Sequence, residues 1–224
     1  MRTIAVGIPG DYRPFAMREA QGLCGLDVDL LRALAREIGC GVRFVETDWP
    51  SQLAALERGD FDVAAGGVTR TEERARRALL LPDYAPFTKA AIVRREDLER
   101  FPDVEAMNRP EVRVIRNPGG TNESWVCAHL PRASHEVDPV NARIPDRIAA
   151  GEGDLMVTDL WEARWYAAHD ARLAVARTAE PLSETLYKVV MVRRELRGLH
   201  AALREAWRAL EAEGRLARIL RHRL

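Results

Sequence analysis

The sequence predicts an α/β chain folded as two lobes with a ligand cleft between them. Three observations carry this. Strand-like and helix-like apolar spacings alternate through the first ninety residues, the alternation restarts near residue 112, and no internal repeat or low-complexity linker separates the halves. Residues 3–8 are a short apolar run stopped by Pro9-Gly10, and read as the first strand. Asp27 has the chemistry of an N-cap ahead of Val28, Leu31, Leu34, Ala35 and Ile38 at helical spacing, and Gly39 stops that helix. Residues 42–45 read as the second strand. Pro50 stands where a helix with Leu53 and Leu56 on its apolar face begins, and Gly59 ends it. Residues 61–65 make a third strand, so this half is expected to hold a parallel sheet covered by helices on both faces. Thr71-Glu72-Glu73 opens a further helical turn with its acids where the helix dipole favours them.

In the second half, strands are expected at 90–94, 112–115, 155–157 and 173–176, with helices near 123–130, 144–150 and 160–168. Residues 186–192 are strongly β-favouring, and the tail over 199–220 is helical with a break near Gly214. Because 186–192 can lead the chain back, the lobes are predicted as residues 1–87 with 188–224, and residues 88–187. Lobes of this kind take a small ligand near the carboxyl ends of their strands.

Composition removes several other functions. The chain has 224 residues, 47% apolar and 30% charged, which is a globular balance. Lys plus Arg and Asp plus Glu both number 34, and a phosphate-led nucleic-acid binder normally shows a basic excess. No apolar run approaches the roughly 18–20 residues of a membrane span, so neither nucleic acid nor membrane is an expected partner. Residues 1–9 are too short for a signal-peptide core and read directly as a strand, which fits a cytosolic chain or a mature exported one. Cys24, Cys40 and Cys127 have no CxxC spacing and read as free thiols, with a Cys24–Cys40 pair open to an exported protein. His129, His135, His169, His200 and His222 lack metal-ligand spacing and no Ser-His-Asp set stands out, so no metal is expected. The sequence carries no mark of oligomeric state.

Three clusters could do chemistry. Gly66-Gly67-Val68-Thr69-Arg70-Thr71-Glu72-Glu73-Arg74 follows a strand; it reads as a carboxylate clamp of backbone N–H groups, the Thr69 hydroxyl and the Arg74 fork, or as a solvated first helical turn. Asn117-Pro118-Gly119-Gly120-Thr121-Asn122-Glu123 precedes a helix and reads as an anion site or an ordinary tight turn. It has neither P-loop nor dinucleotide spacing. Thr158-Asp159-Leu160-Trp161-Glu162 ends a strand, and its two acids share a helix face or form a capping box. Tyr12, Phe15 and Trp49 lie just beyond strands and are either pocket walls or core aromatics.

In this order the clusters resemble the periplasmic solute-binding proteins (type 2) that take polar amino acids, over nearly the whole chain. Asp11-Tyr12-Arg13-Pro14-Phe15 matches the family's aromatic after the first strand, and Gly25-Leu26-Asp27-Val28-Asp29-Leu30 its Gly-x-Asp-x-Asp-Leu helix start. Thr69 with Arg74, Gly120-Thr121 and Asp159 correspond to its carboxylate clamp, second-lobe helix start and amino-group acceptor. Gly66 and Gly67 stand where the family commonly has serines, and the crossover Ala85-Pro86-Phe87-Thr88-Lys89 is more apolar than its pattern.

The chain is further similar to the cyclohexadienyl dehydratases, enzymes built on this fold. The likeness lies in residues 117–123, Trp49-Pro50, Lys89 six residues before Arg95, and Thr158-Asp159-x-x-Glu162-Ala163-Arg164. It implies a lyase of aromatic amino-acid biosynthesis that turns prephenate into phenylpyruvate, or arogenate into phenylalanine, in the periplasm and without metal or organic cofactor. Glu162 matches the general acid that protonates the departing hydroxyl, which requires a pKa raised by burial, with Trp161 and Trp49 as desolvating neighbours. Thr69, Arg74 and Thr121 correspond to the groups that hold the side-chain carboxylate. Lys89 and Asn141 match groups that meet other polar atoms, Asp159 meets the amino or keto group, and Tyr12, Trp49 and Gly67 complete the implied site. Transport receptors of this family usually lack the acid matched by Glu162. A non-catalytic amino-acid-binding protein of an ABC transporter is the alternative.

Overall fold

A computed structural model describes residues 2–223, so Met1 and Leu224 of the predicted first lobe lie outside the described residues. The chain divides into two compact units, Met1–Pro86 with Tyr187–Leu224, and Phe87–Leu186. These divisions fall one residue before the predicted 87/88 and 187/188.

The first unit is built on a five-stranded sheet in the order Gly41–Glu46, Thr3–Ile8, Val63–Ala64, Met191–Val192, Leu79–Leu80. Thr3–Ile8 runs parallel to both neighbours, whereas Met191–Val192 runs antiparallel to both of its own. The sheet is therefore mixed, not parallel. Local spacing recorded the strand–helix–strand units that make parallel pairs, but nothing local records the direction in which a distant segment returns. The expected strand over 186–192 divides for the same reason. Leu186–Lys188 pairs with Tyr84–Phe87, and only Met191–Val192 joins the main sheet.

The helix Leu26–Glu37 begins after Gly25, so Asp27 is not its N-cap. Gly25 sits at φ 132°, and a Cβ there would lie 2.3 Å from the Phe15 carbonyl oxygen, which makes this close entry a glycine position. Asp27 is one turn-residue further on and fully buried. The helix predicted at Pro50 starts at Gln52 and closes at Gly59 in the left-handed region. The tail forms Arg197–Ala212 and Arg215–Arg223 on either side of Gly214. A three-stranded antiparallel sheet, Asp11–Tyr12, Ala16–Glu19 and Gly22–Cys24, has no counterpart among the predicted elements, because strands of two to four mostly polar residues carry no readable period.

The second unit carries the sheet Ser134–Val137, Arg113–Arg116, Leu155–Asp159, Lys89–Arg94, Leu173–Val175, with Lys89–Arg94 antiparallel to both neighbours. Its side chains alternate between two cores. Ala91, Val93, Val114, Leu155 and Val157 enter one cluster, while Ala90, Ile92, Ile115 and Met156 enter another. Both faces are thus covered, which explains why these strands are nearly continuous apolar runs. Full burial of such side chains stabilises by about 1.5–3 kcal/mol each.

One buried acid ties the strand starts of this unit together. Asp154, 4% exposed, accepts from the Arg113 backbone N–H at 2.8 Å and from the guanidinium groups of Arg100, Arg94 and Arg113 at 3.0, 3.3 and 3.3 Å. Burial pushes its carboxyl up, but the Arg113 amide and the three guanidinium groups outweigh this and hold it at about 2, below its ordinary 3.8. A folded value below the unfolded one stabilises above about pH 4, and the contribution is lost as pH falls toward 2. In urea titrations Asp154→Asn is expected to be less stable than the parent at pH 7 by about 2 kcal/mol. That gap should close between about pH 4 and pH 2; a gap independent of pH would show that the charge is not what matters.

Candidate functional site

Chemistry-bearing residues gather at strand ends in each unit. In the first, the strand Val63–Ala64 runs into Gly66 and Gly67, both at positive φ (108° and 89°). Asp27 Oδ2 accepts the N–H groups of Gly66 and Gly67 at 2.7 and 2.8 Å, and the Tyr84 hydroxyl donates to Oδ1 at 2.5 Å. Burial pushes the Asp27 carboxyl up; the Tyr84 bond, the two amides and the Lys188 charge pull it back. Tyr84 in turn is held far above the usual phenol range, by burial first and then by the Asp27 charge, so it stays a donor. The turn's N–H groups, expected to face a ligand, are thus directed at Asp27.

Gly67 shapes this region through its missing side chain. A Cβ there would lie 2.6 Å from Tyr12 Cδ1. Tyr12 packs edge-on to Trp49 with ring centroids 5.2 Å apart and stacks with Phe15 at 6.0 Å; Trp49 Nε1 donates to Asp11 Oδ1 at 3.1 Å. Lys188, 1% exposed, donates to the Gly67 carbonyl at 2.8 Å and lies over the Tyr12 and Phe15 rings at 4.9 and 5.0 Å. Sequence reasoning missed it, although a lysine inside the apolar run 186–192 was the available signal.

Arg74 Nη1 donates to the Thr69 backbone carbonyl at 2.5 Å. Thr71 caps the helix Glu72–Arg77 by accepting from the Arg74 N–H at 3.2 Å. Neighbouring arginines behave as a solvated helical turn, Arg76 pairing with Glu72 and Arg77 with Glu73 and Glu57. Arg74 differs. It is half-buried, burial lowers its pKa against the charge of Glu73, and it makes no ion pair among the described residues. A desolvated guanidinium with spare donors suits a carboxylate.

In the second unit Lys89 opens a strand directly opposite Asp159. Its Nζ donates to Thr121 Oγ1 at 3.0 Å and to Asn122 Oδ1. Asn122 Nδ2 donates to Thr158 Oγ1 at 3.2 Å, and the Thr158 hydroxyl donates to Glu162 Oε2. Asn141 Nδ2 donates to Glu162 Oε1 at 2.7 Å. Asp159 caps the helix Leu160–His169 by accepting the Glu162 N–H at 2.8 Å, as the N-cap reading expects. Thr158, Asp159, Glu162 and Asn141 are 0% exposed, Lys89 3% and Asn122 8%. The fold thus links Lys89, Thr121, Asn141, Asp159 and Glu162 through Asn122 and Thr158. These two were missed as functional, although both stand inside motifs the sequence singled out.

The glycine turn before the helix Gly120–His129 has an anion of its own. Glu123 Oε2 accepts the Gly119 N–H at 2.7 Å, and Oε1 meets Arg116. Cys24, Cys40 and Cys127 are free thiols. Among the described residues no group of three or more His, Cys, Asp or Glu side chains is placed to hold a metal ion, and no helix is long and apolar enough to cross a membrane.

The profile of bacterial extracellular solute-binding proteins, family 3, matches residues 4–222. The chain is similar to the cyclohexadienyl dehydratase of Pseudomonas aeruginosa, 35% identical over 179 residues that cover 80% of this chain and 67% of the dehydratase. An ancestral amino acid-binding protein, described as a precursor of cyclohexadienyl dehydratase, matches with a TM-score of 0.91 at 27% identity, covering 99% of this chain and 95% of that one. An L-arginine-bound transporter substrate-binding protein of Streptococcus pneumoniae matches with a TM-score of 0.89 over 98% and 93% of the two chains; at 21% identity it shows the fold alone. The fold is that of the type 2 periplasmic binding proteins.

Removing the Asp27 carboxylate tests how the first cluster is held. Asp27→Ala leaves three buried donors without their acceptor, and is expected to lower the unfolding free energy by about 3 kcal/mol or more in urea titrations. Asp27→Asn, which keeps an acceptor oxygen, should lose less. Equal losses would mean that the hydrogen bonds to Asp27 are not what stabilises the turn.

Proposed function

We propose that this chain, which belongs to the bacterial extracellular solute-binding proteins of family 3, is a periplasmic cyclohexadienyl dehydratase. It would convert prephenate to phenylpyruvate, arogenate to phenylalanine, or both. The observation that carries the reading is Glu162, a wholly buried carboxyl whose two oxygens are held by Asn141 and Thr158. Similarity to a dehydratase supports it. An amino-acid receptor has no use for a proton donor fixed in this way.

The reaction needs little else from the protein. Loss of CO2 from the ring carboxylate leaves an electron pair that moves through the ring and expels the ring hydroxyl. Glu162 gives that hydroxyl its proton, so it departs as water, and solvent reprotonates the acid. Aromatisation drives the step without a redox change. Asn141 and Thr158 fix where its two oxygens lie. Arg74, Thr69 and Thr121 hold the side-chain carboxylate. Lys89 bonds the remaining anionic and polar groups. Tyr12, packed close against Gly67, and Trp49 receive the ring. Asp159 meets the amino group of arogenate or the keto group of prephenate.

A second reading, an amino-acid receptor of a transporter, is favoured by the likeness to an ancestral amino acid-binding protein.

Incubation with prephenate near neutral pH is expected to release phenylpyruvate. Glu162→Gln should lower kcat by about 10²–10⁴ while leaving the circular dichroism spectrum unchanged. For the parent, kcat/KM should fall as rising pH deprotonates Glu162, and the variant should lack that limb. Absent turnover, together with saturable binding of an ordinary amino acid, would replace the dehydratase with the receptor.

A further inference from the structure

A cavity lies in the first unit between the helices Leu26–Glu37 and Arg215–Arg223. The helix Leu26–Glu37 presents Asp29, Arg32, Ala33 and Arg36 on one face, at spacings of three and four residues. The helix Arg215–Arg223 presents Arg215, Arg218 and Ile219 toward the same space. Together these seven residues line a cavity of about 530 Å³, within the range of small-molecule sites. Four of the seven are arginines and one is an acid, in a chain whose net charge is zero.

That concentration of charge runs against folding preference. Arg32 and Arg36 are like charges four apart on one helix, an arrangement that destabilises a helix by a few tenths of a kcal/mol. The fold then brings two more arginines against them. Arg215 is fixed by Glu37 at 2.5 Å and Glu213 at 3.0 Å, and the Arg32 guanidinium lies 5.6 Å from the Phe44 ring centroid. Arg36 and Arg218 are exposed and make no ion pair among the described residues. Two guanidinium groups are thus steadied by neighbours, and the other two line the same cavity without an acid partner among the described residues. The walls between them are apolar, at Ala33 and Ile219.

We propose that this arginine-lined cavity binds a phosphate-bearing anion of at least two negative charges. Guanidinium forks match phosphate oxygens in pairs, which a lone lysine-type charge does not. Such a group belongs either to a free phosphate compound or to a phospholipid headgroup. The assignment is independent of the dehydratase reading, since it shares no residue with it.

The test titrates inorganic pyrophosphate into the purified chain at low ionic strength, and in parallel sediments the chain with phosphatidylglycerol or phosphatidylcholine vesicles. Expected is saturable binding that weakens about tenfold or more in Arg36→Gln/Arg218→Gln and at high salt. Arg36→Lys/Arg218→Lys, which keeps the charge and loses the fork, should fall between. Glu162→Gln and the remote surface change Arg109→Gln should bind as the parent does. Loss of pyrophosphate binding in the double variant assigns a free phosphate compound; loss of sedimentation with phosphatidylglycerol alone assigns the headgroup. Absence of saturable binding to either probe, or equal binding by the parent and both double variants, would overturn the proposal.

Discussion

A carboxylate taken out of water must be met by donors, and three such groups organise this protein. Asp27 gathers two backbone amides and a phenol, and so fixes the Gly66-Gly67 turn, the start of the helix Leu26–Glu37 and Tyr84 against one another. Asp154 gathers an amide and three guanidinium groups, and so ties strand starts in the second unit. Leaving any one of these donors unpaired inside the protein costs about 1–3 kcal/mol, so each acid specifies a geometry as well as a contact.

Glu162 shares their burial. Asp154 is surrounded by cations, which favour its charged form in every respect but solvation. Glu162 accepts from the Asn141 amide and the Thr158 hydroxyl, which orient its two oxygens. Thr158 also connects Glu162 to Asn122 and through it to Lys89, so the lysine's position and the acid's are settled by one set of hydrogen bonds.

Arginines divide in a similar way. Most belong to exposed pairs such as Arg76 with Glu72, which contribute little to stability. Arg74 and the cavity arginines Arg36 and Arg218 make no ion pair among the described residues.

Much of this was already determined by the sequence. The strand at Thr3–Ile8, the glycine stops at Gly39, Gly59 and Gly214, and the helix Leu160–His169 capped by Asp159 all rest on contacts within a few residues, which local spacing encodes. The same holds for the motifs carrying Thr69 with Arg74, residues 117–123, and Asp159 with Glu162. Tertiary structure alone decided what these groups touch. Asp27 looked like a cap because its neighbours in sequence are helical, but its partners lie about forty and fifty-seven residues away. Lys188 reaches Gly67 across 121 residues, and Met191–Val192 turns a parallel sheet into a mixed one by entering from the far end of the chain. A periodicity reports which face of an element is apolar. It holds no information on which distant donor a buried acid will meet, because that is fixed only when the elements pack and every polar group shut away from water has to find a partner.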